Sequence, residues 1–376
     1  MKSLGLYIHI PFCRSKCHYC DFCSYPQHSE QDFDDYAAML CRDLESRAKE
    51  CGEYVVDTVY LGGGTPTILP WMLLERVLST VMRCYRVAPD AEITAECNPK
   101  TADHTKLLEM RRMGFNRLSM GMQSSHDDEL RGLGRIHTFE DFCHTFADAR
   151  SAGFENISAD LMMGIPGQSP ASYLETVDRL CALSPEHISS YGLIVEEGTP
   201  FGNMGEGLIL PSEDAEEEMY FRGIERLAEY GYRQYEISNF SQRGYESRHN
   251  LRYWNCEEYL GFGPAAYSDF RGARFGNSRD LAAYIAGENI EVEREHLTQH
   301  QRMNEYVMLR MRLADGVRFA DFSERFGVSF ETVFGERLKK IGVGNLLTHS
   351  ADYIAFTSEG MRVSNAILSE ILDFED

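Results

Sequence analysis

The first half of the chain repeats one pattern, a β-type run, a turn rich in Gly, Pro or Asn, and an amphipathic helical stretch. The β-type runs lie at residues 5–10, 58–61, 92–95, 117–122, 156–162 and 187–194, and helical stretches such as 32–49, 71–85 and 139–152 lie between them. Strands that alternate with helices of this length form βαβ units and a parallel sheet. Six such units predict an α/β fold, an incomplete (β/α)6 barrel. In such barrels the functional residues follow the carboxyl ends of the strands.

The pattern changes after residue 230. Residues 231–276 are rich in aromatic residues and Gly and have little helical periodicity, which predicts a long loop or a small insert. Helical patterns return at 304–313, 319–326 and 329–341, followed by a β-wing at 353–357 and a last helix at 361–372. We therefore predict a partial barrel over 1–230, an aromatic and Gly-rich connecting region over 231–296, and a C-terminal winged-helix-like helical domain over 297–376.

Charge and cysteine content limit the partners and the compartment. The 376 residues include 37 Lys and Arg against 59 Asp and Glu, a net charge of −22 that repels phosphate backbones, so nucleic acid is not a predicted partner. The 11 cysteines are odd in number, and no secretion signal accompanies them. We predict a cytoplasmic protein with reduced thiols, in which a cysteine cluster binds metal or is catalytic.

The densest cysteine cluster directly follows the first predicted strand. Cys13, Cys17 and Cys20 lie within 8 residues, and Cys23 follows three residues later. A loop this tight can direct its thiolates at one metal centre. Structural zinc sites usually divide their ligands into two separated pairs, and no second pair is present in the sequence. Iron–sulfur clusters take cysteines at such short spacings. An iron–sulfur cluster is therefore favoured, with a zinc site as the alternative.

Other residues at predicted strand ends can bind a small polar ligand. The run GGGTP at residues 62–66 lets the backbone approach a ligand closely, and its spacing is not the GxGxxG of a dinucleotide site. Glu96 can pair with an amino group, and Arg135 can hold a carboxylate bidentately. Asp160 can accept hydrogen bonds from ribose hydroxyls, and Gln123 follows the fourth strand. Taken alone, the glycine run would more often be a plain tight turn than a site, and a lone Glu is usually a solvated surface residue.

The spacing C-x3-C-x2-C, with an aromatic residue before the last cysteine, resembles the signature of radical S-adenosylmethionine (SAM) proteins. Further motifs resemble one branch of that superfamily, which contains oxygen-independent coproporphyrinogen III oxidase and the HemW-type heme chaperone. These motifs are YIHIPFC at 7–13, GGGTP at 62–66, ECNP at 96–99, RLSMGMQ at 117–123, LGRIH at 133–137, DLMMGIPG at 160–167 and EGTP at 197–200. The match covers nearly the whole chain in the family's order and spacing.

The resemblance implies a cofactor and its ligands. Cys13, Cys17 and Cys20 would hold three irons of a [4Fe–4S] cluster, and SAM would bind the fourth iron and be cleaved to methionine and a 5′-deoxyadenosyl radical. Gly63 and Gly64 would meet the methionine part of SAM. The other residues that the resemblance assigns to SAM binding are Tyr7, Tyr19, Thr65, Glu96, Gln123, Arg135 and Asp160. Cys23 lies where relatives commonly have Asn or Ser, which makes it a bystander.

A second group of residues lies in the segment RHNLRYW, Arg248–Trp254, which we predict to be a loop. Neutral imidazole is a common ligand of heme iron, and arginines pair with propionates. The pattern HNxxYW resembles the segment that marks the HemW-type chaperone. We therefore predict His249 as a heme ligand, with Cys256 as a second candidate and a structural histidine as the alternative reading of His249.

Two functions from different classes follow from the resemblance. The first is a heme chaperone that binds heme and delivers it to acceptor proteins, with membrane respiratory enzymes as candidate acceptors. It is favoured by the HNLRYW segment, by Phe22 at a position where the oxidase has an additional cysteine, and by the six residues that precede Tyr7, where the oxidase has a long extension. The alternative is the oxidase itself, which makes protoporphyrinogen IX by SAM-radical decarboxylation.

The intact SAM motifs favour the oxidase, because a pure carrier need not keep them. A zinc protein is the third hypothesis. The sequence assigns no catalytic residue, and it leaves open whether SAM is cleaved productively and whether the chain forms a homodimer.

Overall fold

A computed structural model describes residues 1–340 and 344–372 of the chain. The strands are β1 Lys2–Ile10, β2 Tyr54–Gly63, β3 Val87–Cys97, β4 Arg117–Gln123, β5 Ile157–Met163, β6 His187–Gly192, β7 Arg233–Gln234, β8 Asn239–Ser241, β9 Tyr259–Phe262, β10 Tyr267–Phe270, β11 Ala273–Asn277, β12 Glu291–Glu295, β13 Val317–Arg318, β14 Leu347–His349 and β15 Tyr353–Phe356. The helices are α1 Glu30–Arg47, α2 Trp71–Cys84, α3 His104–Met113, α4 Asp127–Gly132, α5 Phe139–Ser151, α6 Pro170–Cys181, α7 Pro200–Met204, α8 Glu213–Glu229, α9 Arg248–Trp254, α10 Leu281–Ala286, α11 Gln299–Arg310, α12 Phe319–Phe326, α13 Phe330–Lys340, α14 Ser358–Arg362 and α15 Ser364–Ile371.

The strands β1 to β6 lie side by side in chain order, and each pairs with the next in parallel. This arrangement confirms the predicted βαβ units. All seven residues of β4 are buried, as expected for a central strand covered on both faces. The helices cover the outer face with apolar stripes, for example Leu74, Val77 and Val81 of α2. One apolar core therefore runs along the whole parallel sheet.

The sheet extends beyond the six parallel strands at both edges. Strand β9 pairs in parallel with β1 and leads to β10, β11 and β12, whereas β8 pairs antiparallel with β6 and leads to β7. Among the described residues the sheet has 12 strands, and no pairing joins its outer strands β12 and β7. The parallel strands therefore form an incomplete barrel, as predicted.

The prediction of a long loop over 231–276 was wrong, because this region contains strands β7 to β11 and helix α9, whereas the alternative of a small insert stays a prediction. These strands have 2 to 5 residues each, which is too short to produce a readable alternation of apolar and polar residues. The strands of 231–296 hydrogen-bond to the barrel strands in one sheet. The boundary at residue 230 stays a prediction.

The prediction of a loop at Arg248–Trp254 was wrong, because these residues form helix α9. Its N-terminus is capped by the Ser247 hydroxyl, which accepts from the backbone N–H of Asn250 at 3.4 Å. The buried carboxylate of Glu92 on β3 accepts from the backbone N–H groups of Arg248 and His249, each at 3.1 Å. Tertiary contacts thus stabilise a helix of 7 residues that is too short to form alone.

The C-terminal region has its own apolar core, which includes Phe322, Phe330 and Phe334. Among the described residues its sheet has the antiparallel order β13-β15-β14, which confirms the predicted β-wing. The single last helix predicted at 361–372 was wrong, because α14 and α15 are separated at Val363. Ile341, the predicted end of the preceding helix, and residues 373–376 of the predicted domain lie outside the described residues.

Within the described part of the chain, every helix is too short or too polar to span a bilayer.

The contact between Glu92 and α9 yields a stability prediction. We expect Glu92→Ala to lower the free energy of unfolding by about 2 kcal/mol or more, because two buried N–H groups lose a charged acceptor. Glu92→Gln retains one carbonyl acceptor and is expected to lose less. Urea unfolding measures both, with Glu218→Ala, which removes a surface ion pair on α8, as the control. Equal stability of Glu92→Ala and the wild type would contradict the role of Glu92.

Candidate functional site

The cysteine loop connects β1 to α1 and is fixed by backbone hydrogen bonds. The N–H of Tyr25 donates to the carbonyl of Pro11 at 2.7 Å, and the N–H of Cys13 donates to the carbonyl of Tyr25 at 3.2 Å. The thiols of Cys13, Cys17 and Cys20 line one cavity of about 700 Å³ at the carboxyl ends of the strands. We call it the cysteine cavity.

The three thiols have the chemistry that an iron–sulfur cluster needs. Burial raises the pKa of Cys13 and raises the pKa of Cys20 to about 11, so metal binding must displace their protons. In the described part of the chain no three His, Cys, Asp or Glu side chains converge on one ion position. A [4Fe–4S] cluster binds each cysteine through a different iron and so spans a wider gap than a single ion. Cys13, Cys17 and Cys20 fit such a cluster.

The glycine run at the end of β2 packs directly on the cysteine loop. The N–H of Gly64 donates to the carbonyl of Ile10 at 2.9 Å, and the N–H of Thr65 donates to the carbonyl of Phe12 at 2.8 Å. A Cβ on Gly64 would lie 2.6 Å from the Phe12 carbonyl oxygen, so only glycine allows this approach. Gly63, Gly64 and Thr65 form the cavity wall beside the cysteines.

A chain of polar contacts links two of the cysteines across the cavity. The Thr65 hydroxyl lies 3.5 Å from the Cys13 sulfur and accepts from the Asn98 amide at 2.8 Å. The Asn98 carbonyl accepts from Arg135 at 2.6 Å, and Arg135 also points at the Cys17 sulfur, 3.6 Å away. Asn98 was missed by the sequence analysis as a site residue, although it lies in the quoted ECNP motif. It holds Arg135 and Thr65 in position.

Glu96 closes β3 with its carboxylate in the cysteine cavity. It accepts from the Tyr60 hydroxyl at 2.9 Å and from the N–H of Gly63 at 3.1 Å. Burial raises its pKa to about 7 despite these two hydrogen bonds. A cationic ligand group beside Glu96 would favour the ionised carboxylate and so oppose this rise.

Asp160, Gln123 and Tyr19 also line the cysteine cavity, and their predicted contacts with SAM stay predictions. Asp160 on β5 accepts from the Ser119 hydroxyl at 3.3 Å, and burial raises its pKa. Gln123 ends β4 with a φ of 69°, a left-handed conformation that an ordinary residue rarely adopts. The cavity thus offers carboxylates, amides and guanidinium groups to a small polar ligand.

Tyr7 does not line the cysteine cavity. Its ring stacks on Tyr60 at 6.2 Å and on His249 at 6.4 Å, and its hydroxyl lies 3.1 Å from Nδ1 of His9. These contacts pack it against Tyr60, which does line the cavity. The predicted contact between Tyr7 and SAM stays a prediction.

His249 also lies outside the wall of the cysteine cavity and is 1% exposed. Its Nδ1 is 2.9 Å from the Thr58 hydroxyl, and its Nε2 is 2.8 Å from the Tyr253 hydroxyl. Burial, with the charges of Arg252 and Arg117, lowers its pKa to about 3, so the ring is neutral. Both ring nitrogens are occupied, which favours the structural alternative in this conformation. Heme ligation by His249 stays a prediction.

Three other residues of α9 line cavities. Asn250 lines the cysteine cavity, and it also lines a second cavity of about 740 Å³ together with Tyr253 and Trp254. This second cavity lies between the barrel and the C-terminal region, where Arg312 and Asn365 form the opposite wall. The predicted alternative heme ligand, Cys256, is half-buried against the C-terminal core, and burial raises its pKa to about 11.

Two features of the cysteine cavity were missed by the sequence analysis. The first is Arg117, which is buried and reaches the cavity from the start of β4. Its signal was its position as the first residue of the quoted RLSMGMQ motif. The second is an apolar rim formed by Phe22, Ile136 and Ile194, which are 69%, 53% and 70% exposed. Exposed apolar side chains leave no pattern in the sequence that distinguishes them from buried ones.

Comparisons with known proteins agree with the resemblance. The radical SAM superfamily matches residues 7–180, and the HemN C-terminal domain matches residues 297–363. The chain is 37% identical over 379 residues to the heme chaperone HemW of Bacillus subtilis, with 99% of each chain covered. It is 34% identical over 377 residues to the heme chaperone HemW of Escherichia coli, again with 99% of each chain covered.

A solved structure supports the fold. The coproporphyrinogen III oxidase HemN of Escherichia coli, described as a radical SAM enzyme, superposes with a TM-score of 0.88 at 23% identity. The match covers 100% of this chain and 91% of the oxidase chain. At this identity the likeness establishes the radical SAM fold.

The cysteine assignment predicts which substitutions remove the cluster. We expect Cys17→Ala to abolish the visible absorbance of the reconstituted iron–sulfur protein, because one iron loses its thiolate ligand. Cys23→Ala is the matched control, since Cys23 is buried and its thiol points at the Arg279 carbonyl and the Tyr25 hydroxyl, each 3.8 Å away. Retention of a full cluster in Cys17→Ala, or its loss in Cys23→Ala, would refute the assignment.

Burial of Glu96 predicts a pH dependence of stability. Its pKa is about 7 in the folded chain against an ordinary value of 4.5, so the folded state favours the protonated carboxyl. The resulting stabilisation is present below the unfolded pKa and is lost as the pH rises through about 7. As the pH rises from about 5 to about 8, we expect the free energy of unfolding to fall less in Glu96→Gln than in the wild type. Urea unfolding of the cluster-free chain measures this difference. Identical pH profiles would contradict the predicted shift.

Proposed function

This chain belongs to the HemW family of radical SAM proteins, and we propose that it binds heme and delivers it to acceptor proteins. The observation that carries the proposal is the 37% identity to the HemW heme chaperone of Bacillus subtilis over 99% of both chains. The cofactors of the proposal are a [4Fe–4S] cluster, SAM and heme.

The residues of the cysteine cavity suit the first two cofactors. Cys13, Cys17 and Cys20 would hold the cluster, and the cluster would supply one electron to SAM. The ionised carboxylate of Glu96 would accept from the amino group of SAM, since Gly63 and Tyr60 already fix its orientation. Arg135 would donate to a carboxylate from Nη1 or Nε, because its Nη2 already donates to Asn98 and to the Gly121 carbonyl at 2.7 Å.

The rim of the cysteine cavity supports binding of a planar apolar ligand that carries carboxylates. Phe22, Ile136 and Ile194 expose apolar surface around the mouth. Arg14 and Lys16 flank the same mouth, and neither is in an ion pair with a carboxylate of the described residues. Free cations at the rim of a chain with a net charge of −22 favour an anionic ligand at this position. Heme combines an apolar macrocycle with two propionates.

The oxidase remains the second candidate. It is favoured by the full set of cluster and SAM residues and by the shared fold with the Escherichia coli oxidase. Phe22 argues against it, because the oxidase has an additional cysteine at this position, and here an exposed phenylalanine occupies the cavity mouth.

The proposal also concerns the residue that ligates heme iron and the compartment in which the protein acts. His249 or Cys256 would ligate heme only after α9 shifts, since both side chains are held by contacts within the fold. We expect His249→Ala to change the Soret band only if such a shift occurs.

We further propose that the protein acts in the cytoplasm and that membrane respiratory enzymes are its acceptors. We also propose that the chain forms a homodimer, which light scattering of the purified protein tests.

Anaerobic assays of the reconstituted protein test the main proposal. We expect heme to bind in a spectroscopic titration and to pass to an apo-hemoprotein, and we expect coproporphyrinogen III to remain unconverted in the presence of SAM and a low-potential reductant. Uncoupled SAM cleavage in the same tube confirms an active cluster. Several turnovers to protoporphyrinogen IX would establish the oxidase instead. An active cluster without heme binding would refute the chaperone.

A further inference from the structure

Arg117 is a buried cation without a bonded partner. It is the first residue of β4, its side chain is 1% exposed, and it lines the cysteine cavity. Its Nε has no hydrogen-bond partner, and no side chain in residues 1–340 and 344–372 forms an ion pair with its guanidinium. The guanidinium therefore faces the cavity with unused N–H donors.

A buried guanidinium without hydrogen bonds is costly, because water has been removed from its charge and no acceptor replaces it. Glu96 and Asp160 are near enough for the positive charge of Arg117 to oppose the rise of their pKa values on burial. The hydrogen bonds of these carboxylates go to other groups, namely Tyr60 and Gly63 for Glu96 and Ser119 for Asp160. The two carboxylates partly balance the positive charge of Arg117, but its N–H donors have no hydrogen-bond acceptor.

We propose that Arg117 anchors a carboxylate of the ligand that enters the cysteine cavity. A carboxylate matches the planar fork of a guanidinium with two parallel hydrogen bonds. A singly charged carboxylate is also less strongly repelled by Glu96 and Asp160 than a phosphate dianion would be. Arg117 is separate from Arg135, which contacts Cys17 at the other side of the site.

The cavity connects Arg117 to the exposed rim. Ser189, Tyr191 and Asn250 line the same cavity as Arg117, and Tyr191 and Asn250 also line the second cavity. Ile194 of the apolar rim is shared by both cavities as well. A ligand with an apolar body at the rim and a carboxylate arm at Arg117 would use both features. This inference rests on the proposed function and assigns the carboxylate to a heme propionate.

SAM also carries a carboxylate, so the experiment has to separate the two sources. The probes are heme, heme dimethyl ester, in which both propionates are blocked, and SAM. Each is titrated into the cluster-loaded wild type and into Arg117→Gln. Arg131→Gln is the matched control, because Arg131 is an exposed arginine outside the cavity wall.

We expect the wild type to bind heme roughly tenfold or more tightly than the dimethyl ester, since a charge-assisted pair is lost in the ester. Arg117→Gln should bind both at nearly the same affinity, at the level of the ester in the wild type. Arg117→Lys should recover part of the preference for heme. SAM affinity should stay unchanged in Arg117→Gln, and Arg131→Gln should behave as the wild type.

The outcomes separate this inference from the proposed function. No heme binding by the wild type refutes the proposed function itself. Equal affinity of the wild type for heme and its ester refutes the anchor while leaving heme binding intact. Weaker SAM binding by Arg117→Gln, with the preference for heme unchanged, assigns the carboxylate to SAM and also refutes the anchor. The comparison of heme and ester in the wild type needs no variant, so misfolding of Arg117→Gln does not remove the test.

Discussion

The site depends on the parallel pairing of β1 with β2. This register places Ile10 beside Gly63, so both strands end at the same level. The backbone N–H groups of Gly64 and Thr65 then hydrogen-bond to the chain that follows β1. The cysteine loop therefore lies on the glycine run, and the ends of β3, β4 and β5 complete the wall with Glu96, Gln123 and Asp160. A cysteine loop without this support would have no fixed position relative to a ligand.

The electrostatics of the cysteine cavity differ from those of the chain as a whole. The chain carries a net charge of −22, yet its buried cavity contains Arg117 and Arg135 beside Glu96 and Asp160. Burial raises the pKa of both carboxyls, and the arginines oppose that rise. Such a mixed site suits a ligand with both an ammonium and a carboxylate, as SAM has, and the cationic rim adds a preference for a second anionic group.

The sequence predicts those parts of the fold that a periodic pattern encodes. The six parallel strands and the cavity residues from Cys13 to Asp160 follow from strand periodicity and from motifs at strand ends. Helix α9 was not predictable, because a buried carboxylate 156 residues away in the chain holds its N-terminus. The hydrogen bonds that hold both ring nitrogens of His249 on α9, and the directions of the Tyr7 and Arg117 side chains from their strands, are set by tertiary packing, which a motif does not encode.

In the proposed function, Cys13, Cys17 and Cys20 would hold a cluster whose fourth iron is open to SAM. Electron paramagnetic resonance of the reduced, reconstituted protein tests this ligation, because the g-values of a [4Fe–4S] cluster respond to the ligand of each iron. We expect addition of SAM to change the g-values of the cluster signal, whereas adenosine, which lacks the methionine part of SAM, leaves them unchanged. A signal that SAM leaves unchanged would contradict the account, because all four irons would then already be ligated by other groups.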